Sequence, residues 1–586
     1  MSPSQRIVRR ETAQAGSWPA QIPPLLQRLY AARGALAIEQ AQPKLASLLP
    51  PDSLGGLDAA TALLERAIAD AAHIVVVGDF DCDGATAAAL AVRGLRLLGA
   101  RHVTATVPNR MVHGYGLSPL LVEELAALQP DLLLTVDHGI ACHAGVAAAK
   151  ARGWQIVVTD HHLPGDTLPP ADAIVNPNLR GDAFPSKMLA GVGVMFYVLL
   201  ALRRKLYGDH PDRQDQKAAI HGRTSQQKRP DLTSLLDLVA VGTIADLVPL
   251  DANNRALSAA GLRRLRAGRG CAGLQALIEV SGRDARRLTA ADIGFAIAPR
   301  LNAAGRLEDM ALGIECLLCD DPRRARELAD ILHGINAERR GVQQVMTDEA
   351  EAFVARIDGG ATPIAACLFD PEWHPGVIGL VASKIKDRLH RPTLAFAPSE
   401  PGSATLRGSA RSIAGFHIRD ALAAVDAAHP GLIEKFGGHA MAAGLSLHED
   451  NLSAFRDAFT AHAAATLGPE HLQAQLASDG ELLPQEFDRF HAEAIRDGGP
   501  WGQGFPEPLF DGEFEVLDWR AVGERHLKLV LRHPDRREPL NAIHFGGWTD
   551  TAPEPRIRLA YRLAPDDYRG GQAIQLIVEY RESALP

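Results

Sequence analysis

Cysteine is scarce: six thiols are scattered through 586 residues. So few, so widely spaced, do not make a disulfide scaffold, and the chain reads as reduced and intracellular. Cys316 and Cys319 form a lone C-x-x-C with no second pair to complete a zinc site. Long apolar runs are also missing. The longest, Ala190–Leu202, has the length of a buried helix and not of a bilayer span, so no membrane role is expected. The opening MSPSQRIVRRETAQ has no apolar h-region, so no signal peptide is evident. A net charge of −9 excludes a protein basic all over, although a cation centre and local arginines can still attract nucleic acid. There is no internal repeat, no low-complexity tract and no Walker A pattern. The G-x-G at Gly191–Gly193 lacks the third glycine of a dinucleotide fingerprint.

What is present is an ordinary globular composition, 46% hydrophobic and 22% charged. The length is enough for about three or four domains. Residues 1–54 read as a helical lead-in without chemistry. From 55 to 318 apolar β-branched runs alternate with helical patterns, which predicts a parallel sheet covered by helices. A polar stretch at 203–233 reads as a surface insertion. The region 319–357 carries one long helix, opened by Pro322 where the first turn tolerates proline. A smaller α/β unit follows at 358–468. Five short alternating runs in 469–586 suggest a closed β-barrel of the oligonucleotide-binding type.

Four acidic and histidine clusters stand at or near the ends of apolar runs. They are VVVGDFDCDGAT at Val75–Thr86, LLLTVDHG at Leu132–Gly139, IVVTDHH at Ile156–His162 and VGTIADLVPL at Val241–Leu250. They set Asp79, Asp81, Asp83, Asp137, Asp160, His161, His162 and Asp246 at what should be neighbouring strand ends, where open parallel sheets bind ligands. Taken singly, each has a plainer use: a solvated acidic turn, a capping aspartate or a turn histidine. Taken together, carboxylates this dense repel unless cations neutralise them, and a two-metal phosphoesterase centre uses them all. Ligation rich in oxygen, with a histidine or two, suits two Mn²⁺ or Mg²⁺ ions.

These motifs resemble those of the DHH phosphoesterases. The longer stretches VPNRMVHGYGL, LAGVGVMFY, IAPRLNAAGR, EWHPGVIGLVASKI, GSARSI and KFGGHAMAAG resemble that family's single-strand-specific 5′ exonucleases. The resemblance implies a DHH domain, a connecting helix, a DHHA1 domain and an OB-fold domain. It implies that Asp83, Asp137, His161 and Asp246 hold one metal, and that Asp79, Asp81 and the shared Asp137 hold the other. Asp160 would act mainly as support behind the ligands, and His162 would touch the scissile phosphate. One position departs: the family's usual VDNG reads VDHG here, with His138 in place of asparagine.

Arginine pairs bidentately with phosphate, so Arg110, Arg300, Arg306 and Arg411 are candidate substrate contacts, with Asn302, Ser409 and His439. The resemblance favours Arg110, Ser409 and Arg411 as the pocket for a 5′ end. It also implies release of 5′-mononucleotides from single-stranded DNA in recombination and repair. With it come a cytoplasmic location, a monomer, and a single-strand-binding protein and a helicase as partners. Two other readings compete: a compact DHH enzyme acting on dinucleotides, and a non-catalytic scaffold, which would be expected to lose its metal ligands.

Overall fold

The computed structural model describes residues 5–11, 16–110, 112–208, 229–357 and 363–584. Most of the expected polar insertion at 203–233 lies outside the described residues.

A five-stranded parallel sheet runs in the order His102–Thr106, His73–Val77, Leu132–Val136, Gln155–Thr159, Ala173–Val175. Successive strand side chains point to opposite faces. Ile74, Val76, Leu132, Leu134 and Val157 therefore enter one core, together with the helices Cys82–Leu97, Gly191–Tyr207 and Leu236–Ala245. Val75, Val77, Leu133, Ile156 and Val158 enter a second core beneath the helices Pro119–Leu125 and His143–Ala151. Burial on both faces explains why these strands read as unbroken apolar runs rather than alternating ones.

The helix Pro322–Ile357 has 36 residues, a length of about 54 Å at 1.5 Å per residue. It packs on Ala298–Leu307 at one end and on Ile378–Leu389 at the other. The second α/β unit has a mixed sheet in the order Lys435–Gly438, Ala442–His448, Thr405–Arg411, Thr393–Pro398, Ala366–Phe369. The last unit is a closed barrel of Phe510–Val522, His526–Arg532, Leu540–His544, Ile574–Ser583 and Arg556–Pro565. The expected α/β class, with a parallel-sheet domain, a linking helix, a smaller α/β domain and a terminal OB-like barrel, is the architecture found.

The lead-in expectation needs correction. The segment at 1–54 does not open as a helix. Arg6–Arg9 is a strand, paired in parallel with Gln475–Ser478. The helix Pro24–Ala31 buries Leu25, Leu26, Leu29 and Tyr30 in the same core as the barrel. Tyr30 stacks against Trp18, Trp501 and Phe505 at centroid distances of 5.8, 5.8 and 6.2 Å. Four residues, of which only Ile7 and Val8 between two arginines are apolar, carry too short a pattern to announce a strand, and the partner is remote in sequence.

Candidate metal centre

The carboxyl ends of three adjacent strands converge. The strand His73–Val77 runs through Gly78 to Asp79 and Asp81; Leu132–Val136 ends at Asp137; Gln155–Thr159 ends at Asp160, His161 and His162. The helix Leu236–Ala245 is capped by Asp246 from the side. Three triads bring their ligand atoms within 4.8 Å of one another: Asp79, Asp81 and Asp137; Asp83, His161 and Asp246; Asp137, His161 and His162. All the residues expected to hold metal are in this cluster, and Asp137 is shared.

The backbone is bent to make it so. Asp137 has φ 66° and Leu247, next to Asp246, has φ 60°. Residues other than glycine enter this left-handed region at a cost of about 1–3 kcal/mol, and such strain gathers at functional sites. Gly191 allows the closest approach: a Cβ there would lie 2.5 Å from Asp137 Cβ and Oδ1. The first turn of the helix that Gly191 opens donates to Asp83, from Gly191 N at 2.6 Å and Val192 N at 3.0 Å. These backbone donors at a helix N-terminus steady a buried carboxylate. Nothing in the G-x-G pattern at Gly191–Gly193 announces this use, because the donors are main-chain N–H groups.

The electrostatics are those of an anionic hole. Burial, then the charge of Asp81, pushes Asp79 up to about 8 and Asp83 up to about 7. Burial and neighbouring carboxylates, Asp83 first, push Asp137 and Asp246 well above the carboxylate range. Burial, with His162 next, lowers His161 to about 4, which keeps its ring neutral and its lone pair available. Nε2 of His161 lies 3.1 Å from Asp137 Oδ1 and 3.5 Å from Asp246 Oδ2. That contact is not aligned as a hydrogen bond. Asp79 Oδ1, Asp137 Oδ1 and His161 Nε2 are buried with no hydrogen-bond partner among the described residues. Orphaned ligand atoms facing one another fit divalent cations, and the oxygen-rich set fits Mn²⁺ or Mg²⁺.

His162 behaves differently from His161. Burial is the largest influence and opposes its charge, but the hydrogen bond to Asp160 and the charges of Asp160, Asp246 and Asp79 together raise its pKa to about 9. Asp160, fully buried, is held well below the usual carboxylate range: burial, the largest influence, opposes this, and the His162 hydrogen bond, the two imidazoles' charge and the Ile140 N–H together override it. Asp160 also accepts from Ile140 N at 2.9 Å. Asn176 and Asn178 donate to the carbonyls of His162 and His161 at 2.8 and 2.6 Å, fixing the His-His turn. Tyr115 stands edge-on to His162, with centroids 6.1 Å apart, and its hydroxyl is 3.5 Å from Nδ1. Neither the asparagines nor Tyr115 was singled out from sequence.

The second α/β unit closes over this rim. His439, from the turn after Lys435–Gly438, stacks on His162 with centroids 6.0 Å apart and planes at 19°. Arg110 lies over the Phe80 ring at 4.0 Å. Arg411 donates to Ser409 Oγ at 3.0 Å. Arg306 donates to the Gly376 carbonyl at 3.2 Å. The three guanidiniums sense one another. Burial first, then Arg110 and Arg411, lowers Arg306 to about 9, and burial followed by Arg110 lowers Arg411. Clustered half-buried guanidiniums fit an anion such as a phosphate, as the carboxylates fit metals.

Two residues expected to bind substrate face elsewhere. Arg300 turns to the connecting helix, donating to His333 Nδ1 from Nε at 3.3 Å and from Nη2 at 3.1 Å. Asn302 accepts from Cys82 N at 2.7 Å and so props the Asp81–Asp83 turn from behind. Proximity in sequence says little of direction on the helix Ala298–Leu307, where Arg300 and Arg306 leave from different sides. Asn302, about one turn before Arg306, shares its side, but its short amide is spent on the backbone.

Strand ends crowded with carboxylates and imidazoles, roofed by an arginine-bearing second domain, define a metal-dependent DHH phosphoesterase. Comparison with known proteins agrees. The DHH family, N-terminal domain, matches residues 73–243, the DHHA1 domain 359–465 and the RecJ OB domain 478–580. The single-stranded-DNA-specific exonuclease RecJ of Escherichia coli (strain K12) is 47% identical over 98% of both chains. The one from Thermus thermophilus is 35% identical over 93% of this chain and 73% of that protein. The crystal structure of RecJ in complex with Mn²⁺ from Thermus thermophilus superposes with a TM-score of 0.77 at 32% identity, covering 98% of this chain and 81% of that one. The chain belongs to the RecJ family.

Proposed function

We propose that this chain is a single-stranded-DNA-specific exonuclease that hydrolyses phosphodiester bonds from the 5′ end and releases 5′-mononucleotides. The observation that carries the reading is the apposition of two opposite charge clusters: the carboxylates around Asp137 and the arginines Arg110, Arg306 and Arg411. Asp83, Asp137, His161 and Asp246 would hold one divalent ion, and Asp79, Asp81 and Asp137 the other. Bound there, Mn²⁺ or Mg²⁺ supplies charge neutralisation at the phosphate and an acidified water.

The chain's own groups do the rest. Asp160 holds His162 by Nδ1, so the charged ring presents Nε2–H to a phosphate oxygen. The arginines bind the terminal phosphate, with Ser409 beside them, and fix which end enters. His439, stacked on His162, narrows the entrance from the second domain. The barrel extends the path of one strand by stacking and phosphate contacts. A substrate of this kind gives the chain a cytoplasmic place of work. Unwinding falls to a partner helicase and strand presentation to a single-strand-binding protein, the chain acting as a monomer.

A single strand labelled at each end, followed in time with Mn²⁺, tests this. Mononucleotides should leave successively from the 5′ side, and chelation should stop them. Loss of the 3′ label first would overturn the polarity. Equal turnover of a dinucleotide would favour the compact-enzyme reading.

A further inference from the structure

The two seams that join the three strands carrying the proposed ligands are unequally stitched. Between Leu132–Val136 and Gln155–Thr159, backbone pairing runs to the end: Val136 faces Thr159, and Asp137 N donates to Thr159 O at 3.0 Å. Between His73–Val77 and Leu132–Val136, the register stops at Val77 opposite Thr135. Past that pair, one chain goes on to Asp79 and Asp81 and the other to Asp137, the three groups of a single metal triad. The side chain of His138 crosses this gap. Its Nε2 lies 3.0 Å from the carbonyl oxygen of Val77. A carbonyl only accepts, so Nε2 carries the proton and Nδ1 holds a lone pair. Nδ1 has no partner among the described residues, and the ring is fully buried. A Cβ built on Gly116 would sit 3.5 Å from Nδ1 and 2.6 Å from Cys142 Sγ, so the loop after Arg110 roofs the ring.

We infer that His138 is a positioning residue, which sets the spacing of Asp79 and Asp81 from Asp137 by tying the Val77 carbonyl across the open end of the seam. The arrangement has a counterpart on the other side of Asp137, where Asp160 accepts from Ile140 N. Asp137 thus sits between two ties, each binding its turn to a neighbouring strand end. The left-handed backbone at Asp137 turns the chain so that carboxylate and imidazole leave in different directions. Groups that hold metal ligands in place in this way typically change affinity 10–100-fold when removed.

The inference rests on the assignment of Asp79, Asp81 and Asp137 as metal ligands, and the test separates the two. Mn²⁺ binding to the full chain is measured by calorimetry and by the loss of free-ion paramagnetic resonance signal, with thermal melts in chelator as the measure of folding. Asp137→Asn is the control and should remove binding of at least one ion. His138→Ala should weaken one of the two ions about 10–100-fold and spare the other. His138→Gln keeps an amide N–H at the reach of Nε2 and should restore most of that affinity. His138→Asn, whose amide reaches only as far as Nδ1, should not. Unchanged Mn²⁺ binding in His138→Ala, with Asp137→Asn defective, overturns the inference alone. So does a melt lowered without any change in Mn²⁺ affinity, which is a merely structural role. Unchanged binding in Asp137→Asn overturns the ligand assignment beneath it.

Discussion

Asp160 Oδ1 accepts from His162 twice, from the ring Nδ1 at 2.7 Å and from the backbone N at 3.0 Å. The carboxylate is wholly buried and the imidazole stands at the rim, so charge on the outer ring is anchored from inside the sheet. Asp160→Asn removes the anchor. The His162 pKa should fall from about 9 toward its ordinary 6.5, read by NMR titration of the metal-free protein. A histidine whose pKa is higher folded than unfolded contributes stability in full below about 6.5 and loses it as pH rises through about 9. Asp160→Asn should therefore flatten the decline of melting temperature between pH 7 and 10. Nuclease activity at pH 7.5 should drop about 10–100-fold.

The carboxylates proposed to hold metal act with the same sign and for the opposite reason. Asp79 at about 8 and Asp83 at about 7 are held protonated by the fold, so what they contribute is lost as pH rises from 4 toward 8. In chelator, melting temperature should fall across that range. Mn²⁺ should remove the fall, and the stabilisation it gives should grow with pH as its binding displaces protons. Equal Mn²⁺ stabilisation at pH 5.5 and 8 would contradict this charge distribution.

The arginine cluster should read the chemistry of the strand end. Arg411→Ala leaves Arg306 and Arg110 in place but removes one charged donor. Charge-assisted bonds contribute about 1.5–3 kcal/mol. The preference for a 5′-phosphate over a 5′-hydroxyl terminus should therefore shrink about 10–100-fold in kcat/KM. Turnover of the hydroxyl substrate should change little.

Arg300, by contrast, should behave as a joint and not as a phosphate ligand. Arg300→Lys loses the fork that reaches His333 on the connecting helix. Stability should fall by about 1 kcal/mol in denaturant titration. The phosphate-to-hydroxyl preference should stay as in the parent chain.

The barrel should depend on residues far from it in sequence. Arg9 Nε and Nη2 lie 3.0 and 2.9 Å from the buried carboxylate of Asp511, 502 positions on. Asp511 keeps Arg558 at 2.9 Å and Ser478 when Arg9 is removed. Arg9→Ala should cost about 1–2 kcal/mol, seen as a lower-temperature melt of the barrel with the metal site's response to Mn²⁺ unchanged.

Much of this molecule was legible because its strands are covered on both faces. Continuous apolar runs ending in aspartate mark the sheet and its ligand edge in one stroke, so Asp79, Asp137 and His161 could be named together. The barrel was legible because short apolar-alternating runs are separated by polar turns. Backbone donors were not legible: Gly191 and Val192 serve Asp83 through N–H groups that every residue but proline has. Direction was not legible either. Arg300 and Arg306 share a motif, and only packing against Pro322–Ile357 sends one to His333 and leaves the other beside Arg110 and Arg411. His138 could be marked as unusual from sequence, but its partner, a main-chain oxygen on another strand, belongs to three-dimensional space alone.

The strand Arg6–Arg9 lies beside Gln475–Ser478, and Tyr30 shares a core with the barrel. The unit is therefore discontinuous along the chain, and its early half emerges from the ribosome long before its late half exists. Trp18, Tyr30 and their leucines must wait through the synthesis of two other domains, with the entropic cost of closing so long a loop still ahead. The catalytic sheet is complete well before that closure. Translation that stops short of the barrel would leave a folded nuclease core trailing an unpaired aromatic segment, the kind of surface that chaperones and proteases seize.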